Sequence, residues 1–174
     1  SIAFIGNFTI EPIRISLEVE CFKQSINPRF YFGGYDQYVQ EISDSDSPLY
    51  QFDPVVTFFF MDHNTLLPEL FNNFFELPSD ERWLLAKEKI KLVKNLCSEF
   101  IEQSKSHLVI SSFLFLEENH MGVYDSKLVN GQKEIIRKMN HQLLSLTREN
   151  LSRCHFLDTE KVLSNCGKTP YSNE

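Results

Sequence analysis

The longest apolar run in the sequence extends from Val55 to Met61 and consists largely of β-branched and aromatic residues. This is the length of a β-strand, since a membrane-spanning helix needs roughly 20 apolar residues. Because apolar side chains occupy both sets of alternating positions, such a strand is covered on both faces, as in a parallel sheet between helices. The sequence therefore predicts a buried strand and no membrane-spanning segment.

Other short apolar runs alternate with segments of helical periodicity. Strands are predicted at 2–5, 29–32, 55–60, 108–116 and 155–157. Amphipathic helices follow the first, third and fourth of these, with apolar stripes that include Leu17, Leu92 and Leu143. Alternation of this kind, with right-handed crossovers, produces a parallel sheet with helices on its faces. We predict an α/β fold of three αβα layers.

Composition restricts the class of protein. The 174 residues fit a single domain spanning 1–174. The net charge is −7, from 24 acidic and 17 basic residues, whereas a nucleic-acid binder needs a concentrated basic face. None of the four cysteines forms a C-x-x-C pair, which favours reduced thiols in the cytoplasm over disulfides or a zinc site. We expect a cytoplasmic domain that binds neither nucleic acid nor a membrane; the oligomeric state stays open.

Polar side chains follow the predicted strands. In parallel α/β sheets, ligands bind outside the carboxyl ends of the strands. The candidates, in strand order, are Asn7 and Thr9; Gly33 and Gly34; Asp62, His63 and Asn64; Glu117, Glu118, Asn119 and His120; and Asp158. This set is polar and titratable, but it defines no reaction without further evidence.

Three segments of the sequence resemble FkbH-type proteins. The first is I-A-F-I-G-N-F-T-I-E-P at 2–12. The second combines Y-D-x-Y at 35–38 with D-x-D-S-x-L-Y at 44–50 and D-P at 53–54, before an apolar strand. The third is F-L-D at 156–158 with Gly167 near the C-terminus. Together they cover nearly the whole chain in the right order, and the second is the most specific.

The resemblance implies a domain organisation. FkbH-type proteins have an N-terminal domain similar to SGNH hydrolases, followed by a phosphatase-like HAD domain of subfamily IIIC. We therefore expect this chain to be a fragment, with the HAD domain after Glu174. With the alternation described above, the resemblance predicts a mainly parallel five-stranded sheet in the flavodoxin-like order 2-1-3-4-5. The first and third strands are then neighbours, so Asn7, Thr9, Asp62, His63 and Asn64 are expected to share one cleft.

The resemblance also implies a function. Family members load a glyceryl unit onto an acyl carrier protein in polyketide pathways, and others belong to surface polysaccharide pathways. The expected partners are the HAD domain of the same parent chain and an acyl carrier protein. The HAD domain would hold Mg²⁺, and no cofactor is expected in this fragment.

An SGNH hydrolase needs Gly-Asp-Ser after the first strand and a late Asp-x-x-His. Here Phe8 occupies the nucleophile position, and Thr9, one position later, is expected to cap the first helix. No Asp-x-x-His follows residue 150. We therefore favour a binding and docking module. The alternative is an active esterase or acyltransferase that uses Thr9, or a serine from the rest of the parent chain, with Asn7 and Asn64 as oxyanion donors.

Two further features each allow two interpretations. His63 and His120, with Asp62 and Glu118, are either a metal or proton-transfer site or part of solvated loops; of these we take His63 as a catalytic candidate and His120 as a ligand-binding one. The aromatic run at 71–75 is either core or an apolar lip beside the cleft.

Overall fold

The computed structural model describes residues 1–114, 121–148 and 152–166. Five strands form one sheet: β1 (Ile2–Gly6), β2 (Phe30–Phe32), β3 (Val56–Phe60), β4 (His107–Ser111) and β5 (Cys154–Leu157). All four neighbouring pairs are parallel, and the strand order is β2-β1-β3-β4-β5. The predicted α/β class and strand order are confirmed, and the sheet is parallel throughout.

Helices connect the strands. They are α1 (Arg14–Lys23), α2 (Tyr38–Ser43), α3 (Pro48–Phe52), α4 (His63–Leu66), α5 (Pro68–Asn72), α6 (Ser79–Gln103), α7 (Gln132–Arg148) and α8 (Thr159–Cys166). Short 3₁₀ helices lie at Glu11–Ile13 and Gly122–Lys127. In the described parts of the chain, no helix is long and apolar enough to cross a membrane.

The two faces of the sheet differ in how well they are covered. The chain moves outward from β1 to β2 and then back across to β3, β4 and β5, so right-handed crossovers place α1 opposite α2, α6 and α7. On the face of α6 and α7, Ile5, Phe59 and Ile110 are at most 1% exposed. The main core therefore lies under α6 and α7.

The opposite face of the sheet carries a stack of aromatic rings. The ring of Phe4 lies 5.0 Å from that of Phe32 and 5.2 Å from that of Phe58, measured between centroids. The guanidinium of Arg14, on α1, lies 4.5 Å from the centre of the Phe32 ring. Phe32 and Phe58 stay partly exposed.

Several predicted boundaries are wrong for identifiable reasons. β4 ends at Ser111 rather than at residue 116, although the sequence at 113–116 is apolar. Thr9 does not cap the first helix: the 3₁₀ turn begins at Glu11 after Ile10, which makes no side-chain capping bond. The helices α3, α4 and α5 were missed because four or five residues are too few to show a helical period.

Candidate functional site

The ends of β1 and β3 are joined by a buried asparagine. The Asn7 amide nitrogen donates to the Asp62 carbonyl oxygen at 2.9 Å, and the Asp62 backbone N–H donates to the Asn7 side-chain oxygen at 2.7 Å. Asn7 is 1% exposed. Its side chain therefore serves as a substitute for backbone pairing where the two strands diverge.

A glycine permits this close approach. Gly6 is the last residue of β1 and pairs with Phe60 in the register of β3. A β-carbon at this position would lie inside van der Waals contact with the Phe60 carbonyl oxygen and 3.2 Å from the end of the Ile10 side chain. Glycine is needed here for space rather than for backbone conformation.

The side chain of Asp62 caps α4. One carboxylate oxygen accepts from the Thr65 backbone N–H at 2.8 Å and from the Thr65 hydroxyl at 3.0 Å. The other lies 3.8 Å from Nδ1 of His63. The capping bonds fix the carboxylate, because they satisfy N–H and O–H donors of the first helical turn.

His63 is a buried histidine rather than a solvated one. It is 9% exposed, and its ring meets the edge of Phe71 at a centroid distance of 4.5 Å. Burial lowers the pKa of His63, and the nearby Asp62 carboxylate opposes that shift. The imidazole is consequently neutral near pH 7. The interpretation of His63 as a solvated loop residue is wrong.

The remaining candidates at this edge face solvent. Thr9 and Asn64 are both exposed, and neither takes part in a side-chain hydrogen bond with the described residues. Phe8, at the position of the hydrolase nucleophile, is 37% exposed. His120, Glu117 and Glu118 lie outside the described residues.

Asn140, on α7, secures the end of β4. Its side-chain oxygen accepts from the Phe113 backbone N–H at 2.8 Å, and its amide nitrogen donates to the Phe113 carbonyl oxygen at 2.9 Å. The same reciprocal pattern thus occurs at the buried Asn7 and at the partly buried Asn140, so asparagine side chains hold the loops after two of the strands.

Three polar residues at the sheet edge were not identified from the sequence. Ser112 and Thr159 exchange hydrogen bonds that join the ends of β4 and β5. Glu41 is 7% exposed; it accepts from the Tyr31 hydroxyl at 2.8 Å and from the Gly34 backbone N–H at 3.2 Å. Burial, together with the Glu41 carboxylate, raises the pKa of Tyr31 above its usual range. A glutamate in a helix carries no sequence signal for such a role.

The aromatic run after α4 divides between two environments. Phe74 is buried under the guanidinium of Arg82, which lies 3.8 Å from the ring centre, and Phe71 packs against the core. Phe75 is 75% exposed. The core interpretation therefore holds for Phe71 and Phe74, while Phe75 projects into solvent.

Among the described residues, no group of three or more histidine, cysteine, aspartate or glutamate side chains is arranged to hold a metal ion. Cys21, Cys97 and Cys154 carry free thiols. Burial raises the pKa of the Cys97 thiol well above its ordinary value, and that of Cys154 to about 11, so neither is a reactive thiolate.

The profile of the FkbH N-terminal domain family matches residues 1–173. The chain belongs to the FkbH N-terminal domain family. The resemblance seen in the sequence is thereby confirmed over nearly the whole chain.

A solved structure shares the fold of this FkbH N-terminal domain. It is described as the crystal structure of the N-terminal part of the protein BF1531 from Bacteroides fragilis, containing a phosphatase domain complexed with Mg. The TM-score is 0.74 at 19% sequence identity, over 96% of this chain. The match spans 42% of the other chain, less than half its length. No curated protein matches this sequence.

Proposed function

We propose that this FkbH N-terminal domain is a binding and docking module without hydrolytic activity. In this proposal it supports the phosphatase and the glyceryl or acyl transfer carried out by a HAD domain of the same parent chain, with an acyl carrier protein as the recipient. Carrier-linked biosynthesis is cytoplasmic, and we propose that setting for this domain.

The observation that carries the proposal is the pair of hydrogen bonds between Asn7 and the Asp62 backbone. In a hydrolase of the SGNH type, the end of the first strand presents the nucleophile. Here the corresponding edge is occupied by an asparagine that joins two strands and by the partly exposed ring of Phe8. Neither a carboxamide nor a phenyl ring is a nucleophile that attacks the carbonyl carbon of an ester.

The histidine at the same edge supports this interpretation. A general base must lie within hydrogen-bond reach of the proton that it removes. Thr9 makes no side-chain hydrogen bond with the described residues, and His63 is packed against Phe71. Within the described parts of the chain, the Thr9 hydroxyl therefore lacks the activation that a serine or threonine nucleophile requires.

The proposal relies on a relative for its partner. The structure with the shared fold is described as containing a phosphatase domain complexed with Mg, and this chain matches 42% of it. We infer the same arrangement here, in which the HAD-type domain supplies the phosphoryl chemistry and Mg²⁺. Asp62, Asn64 and His120 remain our candidates for ligand contacts on the N-terminal domain, whereas Asn7, which is 1% exposed and bonded to the Asp62 backbone, is not accessible to a ligand. Thr9 and His63 would act only in the esterase alternative.

The catalytic part of the proposal is tested by hydrolysis of short p-nitrophenyl esters by the isolated chain. We expect rates equal to buffer background, and the same rates for Thr9→Val, which keeps the shape of the side chain and removes the hydroxyl. Turnover well above background that Thr9→Val abolishes would instead assign an esterase.

The docking part is tested by calorimetry. We expect saturable binding of the separately expressed HAD domain or of an acyl carrier protein, and weaker or no binding of phosphoglycerates. If neither the HAD domain, nor an acyl carrier protein, nor phosphoglycerates at millimolar concentration produce a heat of binding, the docking role is wrong.

A further inference from the structure

A groove between α6 and α7 is rimmed by lysines. Its volume is about 340 Å³, and we call it the cationic groove. Its lining includes Trp83, Lys87, Glu88, Lys91 and Lys94 on α6 and Gln142 on α7. Ile90, which is 3% exposed, lies at its base. The groove is far from the sheet-edge residues in sequence and belongs to the outer surface of the helix layer.

Helical spacing brings the basic groups together. Trp83, Lys87, Lys91 and Lys94 are spaced by four, four and three residues, so they lie along one face of α6. An adjacent face of α6 supplies the core through residues such as Val93 and Cys97, which are fully buried. The lysine row is therefore a continuous strip beside an apolar floor.

The charge of the groove is opposite to that of the chain. Three lysines and one glutamate line it, whereas the whole sequence carries −7. On α7, the Lys138 ammonium lies 5.5 Å from the centre of the Trp83 ring and forms an ion pair with Glu134 at 2.6 Å. Lys87 and Lys91 are exposed.

We propose that the cationic groove binds an acidic amphipathic helix of a partner protein. An apolar stripe on such a helix would cover Trp83 and Ile90, and flanking carboxylates would meet the lysine row, as in other complexes in which a helix binds in a groove. The row from Trp83 to Lys94 extends over about 16 Å, or three helical turns. A small anion would contact only part of it. This inference is independent of the proposed docking of the HAD domain.

Trp83 provides the measurement, because it is the single tryptophan of the sequence. The probe is a synthetic helical peptide with a leucine stripe flanked by glutamates, titrated against the whole chain while Trp83 emission is recorded. We expect a saturable change in emission. The double variant Lys87→Glu/Lys91→Glu is expected to weaken binding by about tenfold or more, since it places like charges against the peptide.

Matched controls separate the groove from general charge. Lys105→Glu/Lys161→Glu makes the same change of charge at exposed lysines outside the groove and is expected to leave the affinity within about twofold. Lys87→Gln/Lys91→Gln serves as a milder version, and circular dichroism checks that each variant is folded. The affinity of the wild-type chain should fall as salt is raised.

Three results would overturn the proposal. One is that a peptide in which lysines replace the glutamates binds as tightly as the original peptide. Another is equal binding of an acidic peptide whose leucines are scrambled out of a stripe. The third is no change in Trp83 emission up to millimolar peptide.

Discussion

The side chain of Asn7 and the backbone of Asp62, 55 residues apart in the sequence, exchange two hydrogen bonds of 2.9 and 2.7 Å. They lie at the carboxyl ends of adjacent strands, which is where ligands bind in parallel α/β folds. In this FkbH N-terminal domain, the asparagine amide is used to hold the two loops together. The sheet edge is consequently stabilised by hydrogen bonds between its loops, and it is also a candidate binding surface.

Replacement of the bridging asparagine is expected to destabilise the domain. Asn7→Ala removes both bonds and leaves the Asp62 N–H and carbonyl without that partner, which should lower the free energy of unfolding by about 2–4 kcal/mol. Urea denaturation followed by circular dichroism gives the value. Asn64→Ala, at an exposed position on the same edge, should change it by less than about 0.5 kcal/mol. Equal stability of the two variants would show that the bridge contributes little.

The close approach at the end of β1 predicts a steric effect. Gly6→Ala places a β-carbon against the Phe60 carbonyl oxygen, so two central strands must separate, and we expect a loss of about 3 kcal/mol or more. Gly34→Ala is the control, because the new methyl group would meet the end of the exposed Gln37 side chain, which can move aside. Similar thermal midpoints for the two variants would contradict the tight packing at Gly6.

The buried histidine predicts a dependence of stability on pH. Burial lowers the pKa of His63 in the folded state below the ordinary value of about 6.5 in the unfolded chain. The unfolded state therefore binds the proton first, so the stabilising contribution is present above about pH 6.5 and is lost as the pH falls toward the folded-state pKa. Urea midpoints between pH 8 and pH 5 measure the effect.

His63→Gln should make that pH profile flatter, whereas His141→Gln, at an exposed position on α7, should leave its slope unchanged. A profile that is the same for His63→Gln and for the wild-type chain would mean that His63 takes up its proton equally in both states.

A buried carboxylate at the start of α7 predicts a capping effect. Asp125 is 3% exposed, and its two oxygens accept from the backbone N–H groups of Gln132 at 2.7 Å and Lys133 at 3.0 Å. Asp125→Ala should cost about 1–2 kcal/mol, and Asp125→Asn, which keeps one acceptor, should cost less. Chemical denaturation compares them with Asp80→Ala, an exposed acidic residue in the first turn of α6. A loss for Asp80→Ala as large as that for Asp125→Ala would argue against the cap.

The class of fold could be predicted because its signals are local. The spacing of apolar residues within a few positions of one another indicates which side of an element is buried. This spacing identified the apolar run that forms β3 and the periodic segments that form α6 and α7. Crossover handedness then restricts the topology to few choices. The family resemblance added the strand order, which the parallel pairs confirm.

The roles of the site residues depend on contacts that no local pattern encodes. Asn7 and Asn64 look alike in the sequence, yet one is buried in a bridge to β3 and the other faces solvent. The ring of Phe71 packs against His63 in place of solvent. The Glu41 carboxylate accepts a hydrogen bond from the hydroxyl of Tyr31, which lies on β2.

The sequence by itself thus determined the five strands and the long helices, and that the polar residues after the strands meet at one edge. Only the tertiary structure decided which of those polar groups are used up in holding the edge together. The physical reason is that a buried donor or acceptor must find a partner. That partner is chosen by whichever backbone the packing of distant strands brings within about 3 Å.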